Sequence, residues 1–147
     1  MYKINVVVEG EVWAGVGTHL RGTEIFESHI FDFEDDIYGK EIEVILLLKL
    51  RDNKKFESLE LLKAQIQEDI QKAKEMNFTV LTFGAFDLVH EGHRYYLEEA
   101  RKYGNTLITI VARDANIKKI KGKKSLYNEQ KRLTDVENME VADRVLL

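Results

Sequence analysis

The sequence contains no cysteine. A disulfide framework, a thiolate nucleophile and a Cys-ligated zinc are therefore excluded. Proline is absent as well, whereas average usage of about 5% would place roughly seven in a chain of this length. Either the lineage avoids proline or it has been removed. No apolar run is long: the longest, Val44–Leu48, falls far short of the roughly 20 residues that a helix needs to span a bilayer. Met1 is not followed by a charged and then apolar leader, so a cytoplasmic protein with no membrane partner is expected. Positive charge is in deficit overall, with 22 Lys and Arg against 26 Asp and Glu and a net charge of −4. That balance speaks against a nucleic-acid partner.

What is present is a chain of 147 residues, 44% of them hydrophobic. This is enough to bury the core of one ordinary domain or two small ones. The charge divides unevenly. Residues 1–76 carry 10 Lys and Arg against 16 Asp and Glu, and residues 77–147 carry 12 against 10. The excess of the second half is concentrated in Lys118-Lys-Ile-Lys-Gly-Lys-Lys124, five lysines around one glycine. Read as a loop, it attracts anions.

Two element patterns follow, with the boundary placed near Met76-Asn77. In residues 1–76, strands are expected at 3–8 and 12–16 around a Glu9-Gly10-Glu11 hairpin, then within 24–33 and 41–50. Gly15, Gly17 and Gly22 read as punctuation of a loop, and Asp35-Asp-Ile-Tyr-Gly39 as a turn. Ser58 reads as the N-cap of a helix whose apolar positions are Leu59, Leu62, Ile66, Ile70 and Ala73. In residues 77–147 strands and helices alternate. Strands are expected at 78–83 and 106–112, helices at 91–103 and 128–139, and a third strand begins at Arg144. Strand-helix-strand-helix-strand predicts a right-handed, doubly wound parallel sheet. The fold class is α/β: an antiparallel β module with one helix, followed by a Rossmann-like parallel domain.

The most informative stretch is Gly84-Ala-Phe-Asp-Leu-Val-His-Glu-Gly-His93, directly behind the apolar run 78–83. A strand, a glycine turn, two histidines three apart and the start of a helix make a phosphate-facing loop. Imidazoles of His90 and His93 can donate to phosphate oxygens, and Gly84 and Gly92 admit the backbone to a triphosphate with no Cβ between. Each feature has a structural competitor. A lone histidine at a helix start usually belongs to the fold, a lysine run commonly just faces water, and Asp87 also suits a turn as a carboxylate bonded to backbone.

Together with Val111-Ala-Arg-Asp114, the lysine run and Glu129-Gln-Lys-Arg132, this stretch resembles the cytidylyltransferase-like nucleotidyltransferases. Within them the pattern is most similar to FAD synthetases, which adenylate FMN, and next to glycerol-3-phosphate cytidylyltransferases. Independently, Glu27-Ser-His-Ile-Phe-Asp-Phe33, Asp36-Ile-Tyr-Gly39 and residues 50–69 resemble the latter part of a riboflavin kinase. The resemblance implies AMP transfer from ATP to FMN with release of pyrophosphate. ATP and Mg²⁺ are the implied cofactors, with FMN or riboflavin as substrate. Two alternatives stand beside it, a cytidylyltransferase acting on a small phosphorylated alcohol and an inactive flavin- or nucleotide-binding module or fusion fragment.

The implied catalytic residues are His90, His93, Lys121 and, for the kinase-like half, Glu27 as a general base, which otherwise reads as a sheet-surface carboxylate. The implied nucleotide contacts are Phe83, Gly84, Ala85, Phe86, Asp87, Gly92, Arg113, Asp114, Lys118 and Lys123. The resemblance does not decide which lysine meets phosphate, and no side chain is assigned to a metal. Where the family usually has Thr and Pro, this sequence has Ala85 and Glu91. The resemblance also implies that the Gly-rich start of the kinase, its Mg²⁺- and ATP-contacting segment and the second half of the transferase domain lie outside these residues. Kinase activity is therefore not expected, and a homodimer is one way in which the transferase half completes itself.

Overall fold

The computed structural model describes residues 1–147 as two compact units, Met1–Met76 and Asn77–Leu147. No helix is long and apolar enough to cross a membrane.

The first unit is a four-stranded antiparallel sheet. Its strands are β1 (Tyr2–Val8), β2 (Glu11–His19), β3 (Phe26–Ile30) and β4 (Ile42–Lys49), in the order β3-β2-β1-β4. β1 is central and pairs with β2 and β4 on either side. Alternation along it divides the interior. Ile4, Val6 and Val8 enter a cluster with Trp13, Phe33 and Val44, while Lys3 and Asn5, also buried, point the other way. On that second side lies α1 (Leu59–Glu75), capped at its start by the Ser58 hydroxyl, which accepts from the Leu61 amide at 3.3 Å. The Lys3 ammonium donates to the carbonyls of Ala73 and Met76 at its end, satisfying acceptors that a helix terminus leaves open. Leu62, Ile66, Ile70 and Ala73 face inward, whereas Leu59 is exposed.

Gly15 and Gly17 do not sit in a loop; both lie inside β2. At Gly15 a Cβ would stand 2.5 Å from the His29 carbonyl oxygen. The glycine permits close approach of a neighbouring strand rather than a turn.

The second unit holds a parallel sheet of β5 (Thr79–Gly84), β6 (Thr106–Val111) and β7 (Arg144–Leu146), in that order. α2 (Glu91–Arg101) connects β5 to β6, and α3 (Asp114–Lys121) and α4 (Glu129–Glu137) connect β6 to β7. Leu97 from α2, Leu107 and Val111 from β6, and Val136 and Met139 from the end of α4 form one cluster, so α2 and α4 cover the same sheet face. A doubly wound sheet carries helices on both faces. Over these three strands Leu81 and Phe83, of opposite parity to the buried Thr82, remain exposed.

The lysine run, expected as a loop, is helical over most of its length. Lys118, Lys119 and Lys121 belong to the last turn of α3, and Gly122 closes that helix in the left-handed region at φ 69°. An acidic first turn and a basic last turn both match the helix dipole, which explains why a run that reads as a loop is helical up to its glycine.

Candidate nucleotide site

The site forms at the carboxyl ends of β5 and β6, where open α/β sheets bind their ligands. β5 delivers Gly84, and the chain turns through Ala85 and Phe86. Phe86 has φ 49°, and its ring is buried in the core. A Cβ on Gly84 would stand 2.6 Å from that ring, so the glycine lets the turn fold back on itself.

His90 is the N-cap of α2. Its backbone is extended, and its Nδ1 accepts the Gly92 amide at 3.1 Å. A nitrogen that accepts carries no proton, so in the neutral ring the proton is on Nε2. His93 follows one turn later, its ring centroid 4.1 Å from that of His90 and 5.3 Å from that of Phe86. The Nδ1 of His93 is buried and has no hydrogen-bond partner. Burial lowers the pKa of His93 below the ordinary 6.5, and the neighbouring His90 lowers it further. The pair thus presents imidazole at a helix N-terminus whose amides favour negative charge.

Asp87 accepts from the amides of Leu126 at 2.8 Å and Tyr127 at 3.1 Å. These two bonds, Leu126 first, hold its carboxyl below the usual range, and the charges of Arg132 and Lys121 add to the effect. Asp114 lies at the start of α3. It accepts from Arg132 at 2.7 Å, Ser125 at 3.0 Å and the Glu129 amide at 3.1 Å, and the Arg132 bond is the largest cause of its lowered pKa. In return the Glu129 carboxylate accepts the Asp114 amide at 2.8 Å. Lys118 and Lys124 line a cavity of about 350 Å³ with Asp114, Ser125 and Asn128.

The structure thus brings Gly84, Phe86, His90, Gly92 and His93 together, and ties Asp87 and Asp114 to the segment that leads into α4. Ala85 contributes its carbonyl to Arg132. Arg113 is the exposed N-cap residue of α3 and makes no side-chain capping bond. Lys123 is exposed beyond Gly122, and Phe83 is 62% exposed on the sheet face away from α2. Glu27 belongs to the first unit. There it pairs with Thr18 in register on β3 and lines a separate cavity of about 480 Å³ with His19, Arg51, Phe56, Leu62 and Ile66.

Sequence reasoning gave no role to Arg132, which is wholly buried and has Asp114 for its ion-pair partner. The usable signal is its position four residues before Val136 on the buried stripe of α4. An arginine in an apolar register needs a built polar environment.

Mg²⁺ is implied by the resemblance, and no cluster of three or more His, Asp or Glu suited to a metal is formed. Asp87 and Asp114 already receive backbone amides, an arginine and a hydroxyl. These residues do not fit a protein-held ion.

Comparison with known proteins divides the chain in the same way. Residues 2–77 match the riboflavin kinase family model, and residues 81–147 match the cytidylyltransferase-like model. The FAD synthase of Methanohalophilus mahii is 47% identical over 68 residues, 46% of this chain and 46% of that protein. The FAD synthase of Thermoplasma acidophilum is 40% identical over 68 residues, 46% of this chain and 47% of that protein. The chain spans about half the length of the curated relatives it matches. Among solved structures, a lipopolysaccharide core biosynthesis protein from Thermoplasma volcanium is 36% identical with a TM-score of 0.46, covering 49% of this chain and 58% of that one. A macrolide-efflux protein from Streptococcus pneumoniae is 28% identical with a TM-score of 0.48, covering 50% and 26%.

Proposed function

We propose that this chain, which belongs to the riboflavin kinase family through residues 2–77 and carries a cytidylyltransferase-like domain at residues 81–147, uses that second domain to transfer AMP from ATP to FMN. The reading is supported by FAD synthase relatives over the same half of the chain. The observation that carries it is the pair of imidazoles 4.1 Å apart at the N-terminus of α2, with His90 oriented through the Gly92 amide.

In this reaction a phosphate oxygen of FMN attacks the α-phosphorus of ATP. An O–P bond forms on that face, the bond from the α-phosphorus to the bridging oxygen breaks on the other, and pyrophosphate leaves with the electron pair. No proton needs to be abstracted from a phosphate dianion, so the protein's task is positioning and charge stabilisation. His90 donates its Nε2 proton to a phosphate oxygen, His93 adds a second imidazole beside it, and the α2 amides favour the charge that develops on the leaving group. Lys118, Lys121 and Lys123, on or just beyond the last turn of α3, supply exposed cations from the β6 side, and Arg113 and Asp114 start that helix. Gly84, Ala85, Phe86, Asp87 and Gly92 shape the loop, and Phe83 leads into it.

In the first unit, Glu27 and its 480 Å³ cavity support a flavin-contacting role, since an apolar wall with a cationic and carboxylate rim suits a flavin. ATP, FMN and a cytoplasmic setting belong to this reading.

The test is pyrophosphate release from ATP plus FMN by wild type, His90→Ala and His93→Ala. Release that falls at least about 100-fold in both variants supports the reading, as expected when a donor to developing charge is removed. No release from ATP or CTP with FMN or glycerol 3-phosphate overturns it, and release only with CTP and glycerol 3-phosphate transfers the reading to a cytidylyltransferase.

A further inference from the structure

We infer that Arg132 is a positioning residue that sets the His90/His93 loop against the lysine-bearing helix α3 without touching substrate. The inference rests on the AMP-transfer reading for the reaction it serves, and on the geometry for the residue itself.

Arg132 is 0% exposed, so it cannot meet a ligand directly. Its guanidinium makes four hydrogen bonds. Nε donates to the Tyr127 carbonyl at 3.0 Å, Nη1 donates to the Ala85 carbonyl, and Nη2 donates to the Ala112 carbonyl and the Asp114 carboxylate, both at 2.7 Å. These acceptors come from three different segments. Ala85 opens the loop that leads from β5 to His90. Ala112 and Asp114 connect β6 to α3. Tyr127 precedes the Asn128 cap of α4, where the Asn128 side chain accepts from the Lys131 amide at 2.9 Å.

One rigid fork therefore joins the ends of two adjacent strands to the segment that crosses them. The 125–127 segment is gripped from both sides, by Arg132 at the Tyr127 carbonyl and by Asp87 at the Leu126 and Tyr127 amides. Asp87 is itself part of the His90 loop. A buried guanidinium needs a compensating charge, and Asp114 supplies it at the first residue of α3, so neutralising the cation also fixes the start of the helix that carries Lys118 and Lys121.

Lysine retains the charge but concentrates its donors at one point, so it cannot span Ala85, Ala112 and Tyr127 together. Displacement of a catalytic group by about 1 Å can cost on the order of 100-fold in rate. A residue that only supports folding would act through the folded fraction, and its effect would multiply with the loss of any catalytic group. A residue that acts by placing His90 has little left to do once His90 is gone.

The experiment measures pyrophosphate release and binding of α,β-methylene-ATP for wild type, Arg132→Lys, His90→Ala and the double variant, with thermal unfolding recorded for each. The expected result is a folded Arg132→Lys protein with kcat lowered about 100-fold, KM for FMN changed by less than about threefold, and only a few-fold further loss when the substitution is added to His90→Ala. Losses that multiply, wild-type turnover in Arg132→Lys, or a loss that tracks the unfolded fraction would each overturn the inference. If wild type releases no pyrophosphate, the AMP-transfer reading fails, and affinity for the analogue decides the role of Arg132. Weakening that disappears in the His90→Ala background supports it, and unchanged affinity overturns it. Should Arg132→Lys not fold, Asp114→Asn, which removes the compensating charge and keeps one acceptor oxygen for Arg132 and Ser125 while giving up the one that takes the Glu129 amide, is measured in the same way against the same outcomes.

Discussion

The Gly92 amide donates to His90 Nδ1 at 3.1 Å, and a Cβ on Gly92 would stand 2.9 Å from Cε1 of the same imidazole. One residue thus orients the histidine and leaves it the room to be oriented. Gly92→Ala is expected to swing the His90 ring away while the helix persists, because the atom displaced is the end of a side chain and alanine favours helix. Helix propensity gained and capping lost are both on the order of 1 kcal/mol, so stability changes little. Activity is expected to fall about 100-fold. Parallel melting and turnover measurements on the variant check this.

Asp87 contributes through pH. Its folded-state pKa is depressed below 3.8, first by the Leu126 amide and then by the Tyr127 amide. The unfolded chain therefore takes up the proton first as pH falls. The stabilisation is full above about 3.8 and is lost as pH descends through the folded value. Asp87→Asn is expected to reduce this acid-limb slope, measured by denaturant melts between about pH 2.5 and 5.

His93 acts in the same direction at higher pH. Its folded pKa is lowered from 6.5 by burial first and by His90 second, so the unfolded state binds the proton first below about 6.5. Stability is expected to fall as pH drops from neutrality and to level off below the folded pKa. His93→Gln is expected to flatten that segment of the curve, recorded as melting temperature against pH from 5 to 8.

In the first unit, Arg51 donates to both Asp69 oxygens, at 3.1 and 2.8 Å through Nε, and Asp69 is buried. Arg51 also lines the cavity that holds Glu27. Asp69→Ala leaves the guanidinium without its charge partner and is expected to cost about 3 kcal/mol. Chemical denaturation of the full chain reads this directly.

The alternation of apolar strands and amphipathic segments made the second unit's order legible, and Ser58 marked the start of α1 because a hydroxyl at an N-cap is a local signal. What could not be read was relational. Gly15 looks like a turn residue until the His29 carbonyl is seen against it. The lysine run looks like a loop because charge hides the helical register that Asp114 and Gly122 delimit. Asp87 was readable as a carboxylate bonded to backbone, but its amides come from residues 39 and 40 positions away. Arg132 carries no local mark of burial except its place on the same stripe as Val136, and its acceptors lie in three separate segments.

The proposed reaction of the second unit moves an AMP group onto a flavin phosphate. The most direct measurement is incubation of the chain with α-labelled ATP and FMN, with the label followed by chromatography. AMP transfer predicts that the label appears in FAD in proportion to pyrophosphate released, and that His93→Ala lowers both at least about 100-fold. Label that stays in ATP, or that appears as free AMP with FMN unchanged, would contradict it.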